Sequence, residues 1–353
     1  MTNFDSKIFD NVFVSIIILN YNGGQHLLEC IDSLFHTINC KKEIILIDNN
    51  STDNSHIICK EKFSEIILIQ NKENIGMAAR NIGLKMVKGN FIVFLDSDTV
   101  VEKNWLISLV TSYKKNGEGL YQPKLLEKKR RDIINSNGNM INIFGLAYSR
   151  GKGEKDTGKY NDFSRISYAS GACTFSSSVV MQKIGFVDDM FFAYHDDVEY
   201  GWRASLLGIP SYYEPKSIVY HLGSPTLEWS SKKFFLLERN RWICLLTLYS
   251  RKTLAKIFPL LIIAEIGIFF FFLRKGLALT KFKSYFSLIK LHANIKKKKD
   301  EIIKLRKLND NEIIKFFVDD FYFPPSLYDP NQSKTFHFLI RLLSNVAQKM
   351  INL

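Results

Sequence analysis

The amino-acid sequence predicts an α/β protein built on an open, doubly wound, mostly parallel sheet with a helical C-terminal extension. Three observations carry this reading. Within the first hundred residues four short apolar runs alternate with stretches of helical pattern, as in right-handed βαβ units. Each run ends on polar residues, at Asn20, Asp48, Asn71/Asn74 and Asp96/Asp98. Sheets of this kind bind ligands beyond the carboxyl ends of their strands, so those residues are expected to share one site. The last 103 residues then change character, with 19 lysines and arginines against 8 acids, and hold eleven of the thirteen net positive charges.

The elements follow in order. VFVSIIIL (12–19) is the first strand, leading through Asn20-Tyr21-Asn22-Gly23-Gly24 into a helical pattern from Gln25 to Ile38. KEIILID (42–48) is the second, with NNSTDNS as turn and cap before a short helix over His56–Phe63. SEIILIQ (64–70) is the third, and after NKENIG a helix extends through Met86. FIVFL (91–95) is the fourth. Residues 120–167 lack a clean period and are rich in Lys, Arg, Asn and Gly, which predicts irregular connections with short strands. YASGACTFSS (168–177) reads as a strand or turn entering a helix over Ser178–Ile184. HDDVEYGWRASLLG (195–208) reads as a helix with acids in its first turn and a glycine stop, which the helix dipole favours. A further strand ends at His221, and an amphipathic helix is expected from Pro225 to Tyr249.

A chain of 353 residues accommodates one large α/β domain plus an extension, and a hydrophobic content of 46% suits a packed core. The five cysteines, at 30, 40, 59, 173 and 244, have neither metal nor disulfide spacing, which fits free thiols in a reducing compartment. The N-terminus is polar and acidic around Asp5 and Asp10 rather than signal-like. The α/β part is therefore expected in the cytoplasm.

The stretch GNFIVFLDSDTVVEKNW, from Gly89, ends a buried strand on Asp96-Ser97-Asp98-Thr99. Two acids this close, partly desolvated, raise one another's pKa unless a positive partner sits between them. Two chemistries use such a pair. In the haloacid-dehalogenase pattern D-x-D-x-T the first Asp attacks phosphorus; in nucleotide-sugar transferases a D-x-D pair holds a divalent cation against a diphosphate. The dehalogenase motif closes the first strand of its sheet and needs a later Gly-Asp dipeptide. Here the motif closes the fourth strand and the chain has no Gly-Asp. The chain also lacks a Walker motif and a G-x-G-x-x-G after its first strand, which removes support for kinase-like and dinucleotide-binding readings. A phosphatase stays as the lesser alternative.

Four segments, VSIIILNYNGGQHLLECIDSL, EIILIDNNSTDNS, NKENIGMAARNIGLKMVKGNFIVFLDSDT and FFAYHDDVEYGWRASLLGIPSYYEPKSIVYHLG, together resemble glycosyltransferase family 2, and within it the rhamnosyltransferase-like branch. The resemblance covers about residues 12–250. It implies the GT-A fold and an inverting transfer of rhamnose or another hexose from a nucleoside-diphosphate sugar, with Mg²⁺ or Mn²⁺ as cofactor. By the match, Asp98 ligates the metal directly, Asp96 holds ribose or a metal-bound water, and His221 is the third ligand. Asn20, Tyr21, Asn22 and Asp48 match the positions around the base and ribose, Asn74 and Gly76 the following donor-side loop, and Arg80 a basic position near the diphosphate. Asp197 matches the general base, with Asp196 and Glu199 as supports. Gly171 and Ala172 match the acceptor-side turn, and Trp202 stands ready either to stack on a sugar or to pack in the core. The resemblance divides the chain into a catalytic domain over 1–222, with its nucleotide half about 12–100 and acceptor half about 101–222, and an extension over 223–353. A rival reading of the same residues is a catalytically silent GT-A-like scaffold docked on a membrane.

IFPLLIIAEIGIFFFFL (257–273) is apolar but broken by Glu265, short of the roughly 20 residues a spanning helix needs. Lysines and arginines flank it, and KKKK follows at 296–299. This predicts a membrane-seated surface over about 251–300, interfacial or re-entrant, reaching anionic headgroups. A buried helical hairpin with a solvated charge run is the bland alternative. Nucleic acid is disfavoured, because the charge accompanies phenylalanine-rich sequence rather than a polar platform. The expected acceptor is a glycan or lipid-linked glycan, reached at the inner face of the cell membrane by a peripheral or monotopic protein.

Overall fold

A computed structural model describes residues 11–38, 40–223, 230–322 and 330–352. The acidic N-terminus with Asp5 and Asp10, and the beginning of the helix expected from Pro225, lie outside the described residues. Strands β1 (Phe13–Asn20), β2 (Lys41–Asp48), β3 (Ile67–Gln70) and β4 (Phe91–Asp96) come first, with helices α1 (Gly24–Phe35), α2 (Ser55–Lys62) and α3 (Arg80–Leu84) between them. β5 (Thr99–Val101), α4 (Trp105–Asn116), β6 (Leu120–Glu127), β7 (Ile134–Ser136), β8 (Asn139–Ile141), β9 (Ala147–Ser149) and β10 (Ser164–Ile166) follow. β11 (Cys173–Ser177), α5 (Ser178–Ile184), α6 (Asp196–Leu206) and β12 (Ser211–His221) complete the α/β part. The C-terminal helices are α7 (Ser231–Leu248), α8 (Arg251–Arg274), α9 (Ala278–Lys290), α10 (His292–Leu305), α11 (Asp310–Ile313) and α12 (Pro330–Asn352).

The main sheet runs β10-β12-β6-β11-β4-β1-β2-β3. β3, β2, β1 and β4 are parallel neighbours, and both faces of β1 and β4 are buried under helices, so their sequences are almost wholly apolar, with Ser15 of β1 bonded to Glu43. The other half is mixed. β11 lies antiparallel to β4 and β6, and β12 runs parallel to β6 but antiparallel to β5. Residues 120–127 form a full strand within the stretch read as irregular. Its buried face carries Gln122 and Lys124, the latter paired with Asp156 at 2.7 Å, so no apolar run marks it.

The helices of the extension share a core with the α/β part. Trp202 of α6 meets Tyr249 and Phe317 edge-on at 4.7 and 4.9 Å. Glu265, the interruption in the apolar run, faces the protein. It accepts from Lys281 at 2.7 Å, from Tyr285 at 2.6 Å and from Arg241. Arg241 also pairs with Glu238 at 2.7 Å and Lys281 with Glu238 at 2.6 Å, so two acids and two bases neutralise each other between α7, α8 and α9. Burial alone would push Glu238 up; the adjoining Arg241 and Lys281 instead hold it at about 2. Part of the KKKK run is also structural, since the Lys299 ammonium donates to the Leu246 and Tyr249 carbonyls at 2.8 and 2.9 Å.

Removing one partner from such a set strands the remaining buried charges. Arg241→Met is expected to lower the unfolding free energy by about 3–5 kcal/mol, read as a fall in the urea midpoint. An unchanged midpoint would mean that the network carries no stability.

Candidate active site at the carboxyl edge of the sheet

Two pairings bring the acids together. β11 runs antiparallel to β4 with Cys173 opposite Leu95, and the Asp96 amide donates to the Ala172 carbonyl at 3.0 Å. This sets the Gly171-Ala172 turn against Asp96. β5 runs antiparallel to β12 with Thr99 opposite His221, and the Leu222 amide donates to the Asp98 carbonyl at 3.2 Å. That pairing carries His221 across more than a hundred residues of sequence to the side of Asp98. Nε2 of His221 lies 3.3 Å from Asp98 and 3.9 Å from Asp96.

Arg80 stands behind this group, almost fully buried. Its guanidinium donates to Asp96 Oδ1 at 2.6 Å and to the Gly171 carbonyl at 2.8 Å, and lies 3.9 Å from Asp196. Asp197 is held at both oxygens: the Gly171 amide donates to Oδ2 at 3.0 Å and the Val198 amide to Oδ1 at 2.9 Å. The chain enters this helix start through Tyr194 and His195, both at positive φ (66° and 59°), which turns Asp196 and Asp197 toward the sheet edge.

The electrostatics follow from crowding. Burial raises Asp96, with Asp98 and Asp197 adding to the rise against Arg80 and His221. Burial also opposes ionisation of Asp98, but the charge and hydrogen bond of His221 outweigh it and hold Asp98 below the ordinary range. Burial and the neighbouring Asp197 lift Asp196 to about 7. Asp197 too is raised by burial, less its two amide contacts and Arg80. His221 would be lowered by burial, but Asp98 pulls it above 6.5.

The loops after β1 and β2 brace one another. Asn20 Nδ2 donates to Asp48 Oδ1 at 2.8 Å and to Ser51 Oγ at 3.1 Å, and Asn22 Oδ1 accepts from the Thr52 amide at 2.8 Å. Gly76 sits at φ 67°, where an added Cβ would stand 2.1 Å from the Phe192 carbonyl oxygen, so only glycine lets the donor-side loop touch the segment leading to Asp197. Asn74 Oδ1 accepts from the Gly76 amide at 2.9 Å and from Asn49 Nδ2 at 2.7 Å.

A cavity of about 1320 Å³ opens here, its wall including Tyr21, Asn22, Asn74, Gly76, Asp96, Asp98, Gly171, Ala172, Asp196, Asp197 and His221. Asn20, Asp48 and Arg80 are brought to the site but lie behind its wall, positioning the groups that form it. Of the two places open to Trp202 it takes the core, fully buried between Tyr249 and Phe317. One expectation is corrected. Glu199 is buried outside the cavity wall, bonded to Arg203 at 2.8 Å and 3.6 Å from Lys298, because two positions along α6 turn it about half a turn away from Asp197. Sequence reasoning missed Asn49 and Asn135; the latter's amide oxygen faces His221 Nδ1 at 3.2 Å.

Residues 15–185 match the family described as glycosyl transferase family 2. These residues belong to that family. Within it, the chain is 32% identical over 128 residues to the glycosyltransferase GlyG of Streptococcus pneumoniae, covering 35% of this chain and 38% of that protein. It is 23% identical over 199 residues to the low-salt glycan biosynthesis hexosyltransferase Agl10 of Haloferax volcanii, covering 54% and 61%. It is 45% identical over 87 residues to the UDP-Glc:alpha-D-GlcNAc-diphosphoundecaprenol beta-1,3-glucosyltransferase WfaP of Escherichia coli, covering 24% and 35%. The matched stretches thus span less than two thirds of each of these relatives. Among solved structures, GalNAc-T7 with UDP, GalNAc and Mn²⁺ superposes with a TM-score of 0.56 at 17% identity, over 71% of this chain and 51% of that one. That likeness concerns the fold, and a family 2 fold matches the sheet described above.

The residues of this site suit a divalent cation. One atom each of Asp96, Asp98 and His221 lies within 4.8 Å of the others, and two carboxylates with an imidazole form a set that Mg²⁺ or Mn²⁺ accepts. With Asn135 presenting its oxygen to Nδ1, the Nε2 lone pair is directed at the carboxylates, the outer-shell support typical of a ligating histidine. Without a cation a proton on Nε2 takes its place, which is why His221 is raised. Cation binding must displace that proton. Mn²⁺ affinity, followed by calorimetry between about pH 5.5 and 8.5, should therefore weaken about tenfold per unit once pH falls below the raised His221 value. A flat profile would remove His221 from the ligand set.

Proposed function

We propose that this protein is an inverting, metal-dependent hexosyltransferase that moves a sugar from a nucleoside diphosphate to a glycan or lipid-linked glycan acceptor. The observation that carries this reading is the convergence of Asp96, Asp98 and His221 beside the doubly anchored carboxylate of Asp197, on one wall of one cavity. A bound Mg²⁺ or Mn²⁺ would supply charge neutralisation for the departing diphosphate. The chain supplies the rest. Tyr21 and Asn22, on the exposed loop after β1, border the base, and Asn74 with Gly76 closes the donor side. Asp197 accepts the proton of the acceptor hydroxyl as that oxygen bonds to the anomeric carbon and the bond to the diphosphate breaks. Arg80 positions Asp96 and the Gly171 turn rather than touching substrate.

Because a general base works ionised and burial raises Asp197, turnover should fall on the acidic side at a pH above the ordinary aspartate value of about 4. Asp197→Asn should lower kcat by about 10²–10⁴ while donor binding persists. Asp98→Ala should cost roughly 10²–10³ with loss of the metal requirement. Radiolabelled transfer from UDP-, GDP- and dTDP-sugars with and without Mn²⁺ reads all three; full turnover in both variants would refute the reading.

A seat on the inner membrane surface is supported by the outward face of the C-terminal helices. α8 is 24 residues long, and an 18-residue stretch of it has mean hydropathy 2.2 with only 28% of that stretch buried. Phe258, Ile262, Ile266 and Phe270 form one exposed stripe along it, joined by Leu279, Phe286 and Ile289 of α9 and Phe338 and Leu342 of α12. An apolar area of this extent marks a contact surface, and Arg251, Lys252, Arg274 and Lys275 at the ends of α8 suit anionic headgroups. The protein should co-sediment with phosphatidylglycerol vesicles more strongly than with phosphatidylcholine ones. Phe258→Asp with Phe270→Asp should release it at unchanged melting temperature. Equal retention of the double variant would rule out this face as the seat.

A further inference from the structure

The cavity is larger than a nucleotide sugar requires. Pockets for a drug-sized ligand occupy about 300–1,000 Å³, against about 1320 Å³ here. Besides the acids, its wall carries two groups of side chains that the donor and the cation leave unused. One is cationic. Lys232 and Lys233 stand in the first turn of α7, which has no acid to balance the positive end of its dipole. Lys152 joins them from a loop held by two glycines at positive φ, 75° at Gly151 and 83° at Gly153. The Lys232 ammonium lies 5.6 Å from the Phe192 ring and Lys233 lies 5.1 Å from the Tyr194 ring, against the segment that runs directly into Asp196 and Asp197. Among the described residues, neither Lys152 nor Lys232 has a carboxylate within 4.0 Å. Burial lowers Lys152, and burial together with the charge of Lys152 brings Lys233 down to about 8. Lys152 and Lys233 thus stand near enough to feel each other's charge, and with Lys232 they make this part of the wall cationic, a surface that suits an anion.

The other kind is apolar. Ile268 and Phe272 of α8 pack with Phe234, and Phe271 and Phe336 lie against that cluster, all on the cavity wall. α8 thus turns one face to the cavity and the opposite one, Phe258 to Phe270, outward.

We infer that Lys152, Lys232 and Lys233 form a subsite for a phosphate or diphosphate group on the acceptor, and that the adjoining phenylalanine wall takes the first part of a hydrocarbon chain attached to it. This rests on the transferase reading above and names the acceptor class it left open: a sugar carried on an isoprenoid-type phosphate. Lysine ammonium groups bind phosphate as point charges, and the phosphate would fix the carrier so that its sugar hydroxyl reaches Asp197. A phosphate-rich soluble polymer satisfies the lysines as well but gains nothing from the phenylalanines, so the apolar wall favours the lipid.

The test uses the full chain saturated with UDP and Mn²⁺, so that the donor position is filled, and titrates farnesyl diphosphate, inorganic diphosphate and poly(ribitol phosphate) by calorimetry. Farnesyl diphosphate should bind more tightly than the other two. Lys152→Ala and Lys233→Ala should each weaken it roughly tenfold or more, with Lys233→Arg restoring most of the loss. Phe271→Ala should weaken farnesyl diphosphate alone. Unchanged binding in the lysine variants overturns the subsite, and so does weakened UDP binding in their place, which would assign the lysines to the donor. Equal affinity for the three ligands with a silent Phe271→Ala overturns the lipid assignment. UDP that binds while farnesyl diphosphate does not refutes this inference alone, whereas failure of UDP itself to bind with Mn²⁺ takes the transferase reading down with it.

Discussion

Four carboxylates, from Asp96, Asp98, Asp196 and Asp197, crowd the mouth of one cavity, and burying them together is the constraint around which the α/β part is arranged. Burial first of all, helped at Asp96 and Asp196 by neighbouring acids, pushes three of the four above the ordinary aspartate range, one of them to about 7. Arg80 is the fold's permanent answer. Buried, it spends its donors on Asp96 and on the turn that presents an amide to Asp197, so one side chain compensates the strand end and the helix start together. His221 is the conditional answer, a proton carrier that a cation can replace. A site whose charge balance is incomplete without an exchangeable positive group is suited to a ligand that brings one.

Backbone pairing, more than side-chain contact, makes this geometry stiff. Asp96 and Asp98 are placed by a strand whose neighbours on both sides are hydrogen-bonded to it, and His221 is fixed by its register with Thr99. The loops after β1 and β2 have no such ladder, so side chains substitute: Asn20, Asn22, Ser51 and Asp48 form a closed set of bonds between them. Asn20 and Asp48 therefore matter even though they stand behind the wall. Their loss would loosen Tyr21 and Asn22 before it removed any direct contact.

The parallel half was legible because strands buried on both faces must be mostly apolar, and β1, β2 and β4 obey this with polar residues at their ends, Ser15 inside β1 being the exception, satisfied by Glu43. The mixed half was not. β6 buries Gln122 and Lys124, each satisfied by partners far away in sequence, Ser136 for the first and Asp156 with Asn161 for the second, and no local pattern reveals a pairing made that way. The acids of α6 show the same limit more finely. Asp196, Asp197, Glu199 and Trp202 lie within seven positions, yet the helix turns the first two to the cavity, Glu199 to Arg203 and the tryptophan into the core. Spacing alone separates them only once the buried face of the helix is known, and that face is set by α7 and the residues around Phe317.

The C-terminal helices matter to the site for the same reason. Glu265 looks in sequence like a flaw in a membrane segment. In the folded chain it is the point at which α8 is bound, through Arg241 and Lys281, to the helix that begins at Lys232 and Lys233. The same network that neutralises Glu265 therefore fixes the orientation of α8. With Glu265 turned inward, Ile268 and Phe272 reach the cavity, and Phe258, Ile262, Ile266 and Phe270 are left facing out. An α8 rotated by half a turn would bury the outward stripe and expose an uncompensated acid. The charge set thus selects a single arrangement in which the apolar wall of the cavity and the apolar outer surface are two sides of one helix.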